Sequence, residues 1–490
     1  AVAAVEKPSA PEAEAQVGAV LVTAADEGVT QGSESYTPSS SSTATKLPLT
    51  LRETPQSVTV VTQQKMDDFN QTSINEVLGG VAGVTVEQIE TDRTYYSSRG
   101  FDITNFQVDG LGLPMANGNV NGDLDTAIYD RVEVIRGATG LMTGAGNPSA
   151  TVNMVRKRPT RELHSEVKGG VGSWDKKRGE MDVSGSLVES EKLRGRMVLV
   201  KQDKESYLDR YASERTVAYG VVEGDLGEQT LLTAGYSLQQ NDSDSPMWGA
   251  LPLYYTDGSQ TDYDVSTSTS ADWSYWNVDN RRAFVELSHS LDNGWQAKAA
   301  YNFINTRQDS RLFYMYGTPD KSTGLGLLSY PGLYQMEMDQ HVADLNASGP
   351  FRLLGREHQL VVGTSLSRST VDELSLYSNT TGSALPPLEE WQGDYPEPEF
   401  NLYPNGSHWV DKELGGYLAA RFSVIDDLAW IVGSRLTSWE TEGQSYGVEK
   451  SNSAHGVLTP YTGLVYDLTD DISTYASYTT IFTPQKAMDI

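Results

Sequence analysis

Cysteine is absent from this 490-residue chain, which excludes a disulfide scaffold and any cysteine-ligated metal. Basic residues are scarce: 37 Lys and Arg stand against 66 Asp and Glu. The net charge of −29 disfavours a nucleic-acid binder. No run of ~18 uninterrupted apolar residues occurs, so no transmembrane helix is expected. The 6 histidines are scattered and give a metal cluster no support. Catalytic signatures are missing as well. There is no His-Glu-x-x-His, no Gly-x-Ser-x-Gly and no phosphate-binding Gly-x-x-x-x-Gly-Lys, so no enzyme is expected. Phenylalanine (10) is outnumbered by tyrosine (26), and glycine (45) is abundant.

What is present divides into three regions, 1–46, 47–160 and 161–490. Ala1 is not Met and no signal sequence follows, so the chain reads as a mature protein. Ala1 to Gln16 is a tract of Ala, Pro and Glu that reads as a disordered tail. Ser33 to Thr45 is Ser/Thr-rich and is not expected to pack. Between them lies a β-prone patch, Ala19-Val20-Leu21-Val22-Thr23-Ala24. It is either a stray apolar run or a mobile segment that adds a strand to a partner's sheet edge. Leu47 to Pro159 reads as a compact α+β unit, with a short helix over Ile74–Leu78 that Gly79-Gly80 ends.

After Thr160 the pattern changes to runs of about ten residues that alternate apolar and polar. Trp295, Ala297, Ala299, Tyr301 and Phe303 share one face of such a run. About thirteen strands are expected. Their connections alternate between tight turns, such as Asp292-Asn293-Gly294, and long stretches near 239–280, 305–338 and 369–412. Short turns at one end and long loops at the other describe an outer-membrane barrel, and excess tyrosine suits its aromatic girdles. An odd strand count does not close such a barrel, so the sequence is expected to be the N-terminal part of a longer protein, cut at its C-terminus. A domain of about 110 residues ahead of a wide barrel is expected to plug its lumen.

The residues then carry a family likeness. Asp130-Arg131-Val132-Glu133-Val134-Ile135-Arg136-Gly137, continuing to Gly144-Ala145-Gly146-Asn147-Pro148-Ser149-Ala150, resembles the plug signature of TonB-dependent outer-membrane receptors. Tyr95 to Phe101, Gln107-Val108-Asp109-Gly110 and Met154 to Pro159 resemble the neighbouring plug segments. Ser245-Pro246-Met247-Trp248-Gly249-Ala250-Leu251-Pro252 is similar to the third extracellular loop of hydroxamate-siderophore receptors, those for ferric coprogen and ferric rhodotorulic acid most closely.

The resemblance implies an all-β antiparallel barrel of 22 strands around an N-terminal α+β plug. It implies import of a ferric siderophore at the outer membrane by a monomer embedded in lipid and lipopolysaccharide, driven by TonB with ExbB and ExbD. Iron enters as part of the ligand, and no resident cofactor is implied. Ala19 to Ala24 would be the TonB box. No separate signalling domain is expected before it. Siderophore contacts are expected at the plug apices (Arg93, Met115, Asn117, Asn119) and on the barrel loops (Trp248, Tyr314, Tyr316, Tyr377, Trp391). Aromatic faces suit a large, nearly neutral ligand, and Arg93 suits hydroxamate oxygens. Arg131, Glu133 and Arg136 are expected to pair with the barrel wall and lock the plug, although plain structural ion pairs are an equal reading. The competing reading of the whole is a passive porin or adhesin, which needs no TonB box.

Overall fold

Ser73 accepts a hydrogen bond from the Glu76 amide, and the Glu76 carboxylate accepts one back from the Ser73 amide. This capping box starts the short helix α2 (Ile74–Gly79), which buries Ile74, Val77 and Leu78 and ends at Gly80. The helix before it, α1 (Gln63–Asp68), is capped by Thr62. Both pack on a sheet built from β1 (Ser57–Thr62), β5 (Asn105–Val108), β6 (Leu111–Pro114), β8 (Tyr129–Arg136) and β9 (Ala150–Arg156), in the order β1-β8-β9-β5-β6. A second small sheet pairs β2 (Thr85–Gln88), β3 (Arg93–Ser98), β4 (Phe101–Asp102) and β7 (Val120–Asn121). The third helix, α3 (Gly140–Thr143), lies in the glycine-rich stretch after β8. Val132, Val134, Val152 and Met154 are wholly buried between the layers. The coordinates are a computed structural model and describe residues 28–115 and 118–484; the 19–24 patch and Asn117 lie outside the described residues.

The Ser/Thr tract does pack, contrary to expectation. Residues 28–46 form a strap along the plug, and Ser41, Thr43, Ala44 and Thr45 are buried. Its hydroxyls find acceptors that composition alone does not reveal. Ser41 and Thr43 both donate to the Glu133 carboxylate, and Asn153 donates to Thr43 Oγ1 at 2.7 Å. The Thr30 and Gln31 amides donate to Asp130.

Among the described residues, thirteen antiparallel strands follow as a single meander, each bonded to the next. They are β10 (His164–Val171), β11 (Lys177–Ser186), β12 (Leu193–Glu205), β13 (Ala212–Asp225), β14 (Thr230–Asp244), β15 (Tyr275–Ser290) and β16 (Gln296–Gly317). The rest are β17 (Leu327–Leu353), β18 (Arg356–Tyr377), β19 (Leu402–Ile425), β20 (Leu428–Ser445), β21 (Val448–Asp467) and β22 (Ser473–Thr479). On β12, Met197 and Leu199 point outward while Arg196, Val198 and Val200 are buried against the plug, as period-two alternation requires. The strands are longer than the ten residues expected; β17 has 27. Much of what read as loop near 305–338 and 369–412 is strand that continues the same ladders. Polar faces on both sides hide the period-two signal there.

Candidate functional site

The extension of β16 and β17 brings tyrosines together. Tyr314 and Tyr330 are register partners, and Tyr316 and Tyr334 follow on the same faces. Tyr314 and Tyr316 stack at 6.5 Å, Tyr316 meets Tyr330 at 6.1 Å, and Tyr377 of β18 meets Tyr330 and Tyr334 edge-on. Trp248 comes in from the 245–274 loop and closes this cage, 5.0 Å from Tyr334, 5.8 Å from Tyr314 and 6.0 Å from Tyr330. All of these rings are only half-buried, so faces remain open. Trp248 and Tyr334 rest on a buried floor of Trp276, Val278 and Leu312.

The plug apex lies under the cage. Its hairpin loop, residues 89–92 between β2 and β3, carries Glu90, Thr91 and Asp92. Arg93 follows, its guanidinium 5.6 Å above the Trp276 ring. Arg93 is not free to serve a ligand with its whole fork: Glu90 engages Nε and Nη2, both at 2.5 Å. Asp92 is buried and accepts from Ser243 of the wall at 2.5 Å and from Thr91 at 2.7 Å. Burial pushes its carboxyl up to about 6; the hydroxyl bonds and Lys204 offset only part of that. The second apex is tied to the first, since Arg93 and Asn121 are register partners and Asn121 donates to Gln308 of β16 at 2.8 Å. Asn119 donates to Tyr95 at 3.3 Å. Met115 lines a cavity of about 420 Å³ between plug and wall, with Asp344, Ser367 and Trp439 on the far side.

Of the residues expected to touch ligand, Trp248, Tyr314, Tyr316 and Tyr377 converge on the cage, with Arg93 at its floor. Trp391 does not. It is buried in a separate loop core, stacked on Phe313 at 5.4 Å, with its Nε1 donating to Ser270. Phe313 and Tyr314 are neighbours on a strand, so they face opposite ways and take Trp391 and Trp248 to opposite faces. Tyr330, Tyr334, Trp276 and Glu90 were not anticipated. The first two sit in the stretch read as loop, where an alternation of aromatics at 314, 316 and 330 was the available signal.

The expected plug–barrel lock also moves. The partners of Arg131 are Asp130 and Glu133, at 3.0 and 2.6 Å, and Glu133 holds the strap. Arg136 donates to Ser57, Thr59 and the Ala82 carbonyl. All of these are plug groups: Arg131, Glu133 and Arg136 lie on β8, an inner strand of the plug sheet, whose bond to the wall comes instead from Tyr129, which accepts from Arg282 of β15 at 3.0 Å. Charges that do cross to the wall include those of the segments just before β8 and just after β9. Lys157 and Arg196 share Asp182, Arg178 and Arg215 share Asp125, and Arg158 reaches Glu286. Asp125 is held below the usual carboxylate range: burial would raise it, and Arg178 and Arg215 outweigh that.

Two family models match the chain. Residues 50–151 match the TonB-dependent Receptor Plug Domain, and residues 218–488 match the TonB dependent receptor-like beta-barrel. The ferripyoverdine receptor of Pseudomonas aeruginosa is 42% identical over 98% of this chain and 59% of its own length. The ferric-pyoverdine BN7/BN8 receptor of Pseudomonas putida is 39% identical over 97% of this chain and 61% of its own. A crystal structure of the Pseudomonas aeruginosa receptor bound to ferripyoverdine superposes with a TM-score of 0.89 at 41% identity, covering 94% of this chain and 61% of that one. The chain thus spans about 60% of the length of these relatives. The expected special likeness to coprogen and rhodotorulic-acid receptors is not supported: these strong matches are pyoverdine receptors. The chain belongs to the TonB-dependent receptor family, whose members are outer-membrane β-barrel receptors and not enzymes.

Proposed function

We propose that this member of the family binds a ferric siderophore of the pyoverdine class at the cell surface and passes it inward with energy supplied through TonB. The observation that carries the reading is the half-buried cage of Trp248, Tyr314, Tyr330, Tyr334 and Tyr377 set directly over the plug apex. Open aromatic faces take a large flat ligand by stacking and burial, and the phenol hydroxyls supply donors to its oxygens. The relatives named above support the pyoverdine class over other hydroxamates. The iron is cargo here, held by the siderophore.

Residues 19–24 are the proposed TonB-binding strand. The strap that follows, residues 28–46, is hydrogen-bonded to Asp130 and Glu133 of β8, which supports a route for tension on the N-terminus into the plug sheet. The test is deletion of residues 19–24 from the full-length receptor. Binding of ferripyoverdine is expected to stay unchanged while uptake is abolished. Uptake that survives the deletion favours the passive-barrel reading instead.

A further inference from the structure

Trp248 is the one member of the cage that does not come from a wall strand, and its backbone is gripped on both sides by the plug. The carbonyl of Met247, just before it, accepts from the Thr91 amide at 3.3 Å and from Thr91 Oγ1 at 3.4 Å. The amide of Gly249, just after it, donates to Glu90 Oε1 at 3.3 Å. The peptide that aims the indole is thus held by the plug hairpin loop. Gly249 makes the fit possible: its φ is +82°, and a Cβ there would lie 2.1 Å from the Tyr314 ring. Glu90 is itself fixed, buried and bidentate with Arg93. None of these bonds exists unless the plug apex is docked.

We infer that Glu90 is a positioning residue for Trp248, so that the siderophore cage is complete only while the plug apex is seated. A plug drawn inward lets go of Met247 and Gly249, Trp248 leaves Tyr314 and Tyr334, and the receptor lowers its own affinity for the ligand it is about to pass on. The inference rests on the reading of the cage as the siderophore site.

The experiment is a double-mutant cycle in the full-length receptor, titrated with ferripyoverdine, with thermal unfolding recorded for each variant. Trp248→Ala and Glu90→Ala are each expected to weaken binding about tenfold or more. The double variant should bind within about threefold of Trp248→Ala alone, because the second change removes a support whose load is gone. Glu90→Gln keeps an acceptor for the Gly249 amide and should stay within about threefold of the parent. It decides the matter even where Glu90→Ala does not fold. Losses that add in the double variant, or Glu90→Gln falling as far as Trp248→Ala, overturn the positioning role. No loss on Trp248→Ala overturns the cage as the binding site, which is a different failure.

Discussion

Along its flank the plug meets the wall through buried charge: Lys157 and Arg196 on Asp182, Arg178 and Arg215 on Asp125, Arg158 on Glu286. At its apex it meets the 245–274 loop through hydrogen bonds of 3.3–3.4 Å and the wall through Asn121 on Gln308 and one buried carboxylate, Asp92, that accepts from Ser243 and has no cation in bonding reach among the described residues. The flank contacts are strong only as complete pairs, since removing one partner strands a buried charge. The apex contacts are few and release without leaving an ion unpaired. A plug held this way is firm against the wall and yielding where it touches the aromatic cage.

The largest effect is expected at the flank. Asp182→Ala leaves Lys157 and Arg196 both buried without their anion, and should cost about 3–5 kcal/mol. Chemical denaturation of the full receptor, followed by proteolysis of the plug, reads this directly. An effect below about 1 kcal/mol would put flank and apex on the same footing.

The strap comes next. Glu133 is wholly buried and accepts from Ser41, Thr43 and Arg131. Glu133→Ala should loosen residues 28–46 by about 2–3 kcal/mol while leaving the wall strands protected. Hydrogen exchange resolved by peptide distinguishes the two. Loss of protection throughout the wall would mean that Glu133 does act as a plug–barrel lock.

At the apex the effect is smaller and depends on pH. The Asp92 carboxyl titrates near 6 when docked and near its ordinary 3.8 when exposed, so the docked state binds more protons between these values. Docking stability is therefore full below about pH 4 and falls as pH rises to about 6, by about 1–3 kcal/mol. Exchange of amides 88–94, corrected for intrinsic rate, should show less protection at pH 7 than at pH 4.5. Asp92→Asn should remove the difference. A flat profile in the parent would show that water reaches the carboxylate.

The thirteen wall strands were legible in the sequence because most of them carry one buried face, and the compact plug because its inner strands, such as β8 and β9, carry apolar residues and are buried on both faces. The Ile74 helix shows its capping box and apolar side openly, and the signature from Asp130 to Ala150 fixes the family. Three things were not legible. The strap looked too polar to pack, because its partners Asp130 and Glu133 lie about a hundred residues away and the charge of Glu133 looked like a wall contact. The upper halves of β16 to β18 looked like loops, since neither face is uniformly apolar, and Tyr330 and Tyr334 were lost with them. Trp391 was expected to join Trp248 at the ligand, and only the alternation of Phe313 and Tyr314 assigns the two to opposite faces.

That last contrast supplies the smallest expected effect and the most direct test together. Tryptophan-fluorescence titration of the full-length receptor with ferripyoverdine should show Trp391→Ala binding within about threefold of the parent, its loss absorbed in the loop core. Trp248→Ala should lose about 2–4 kcal/mol of affinity in the same titration. Equal affinities for the two variants, or a greater loss from Trp391→Ala, would contradict the cage as the place where the ligand binds.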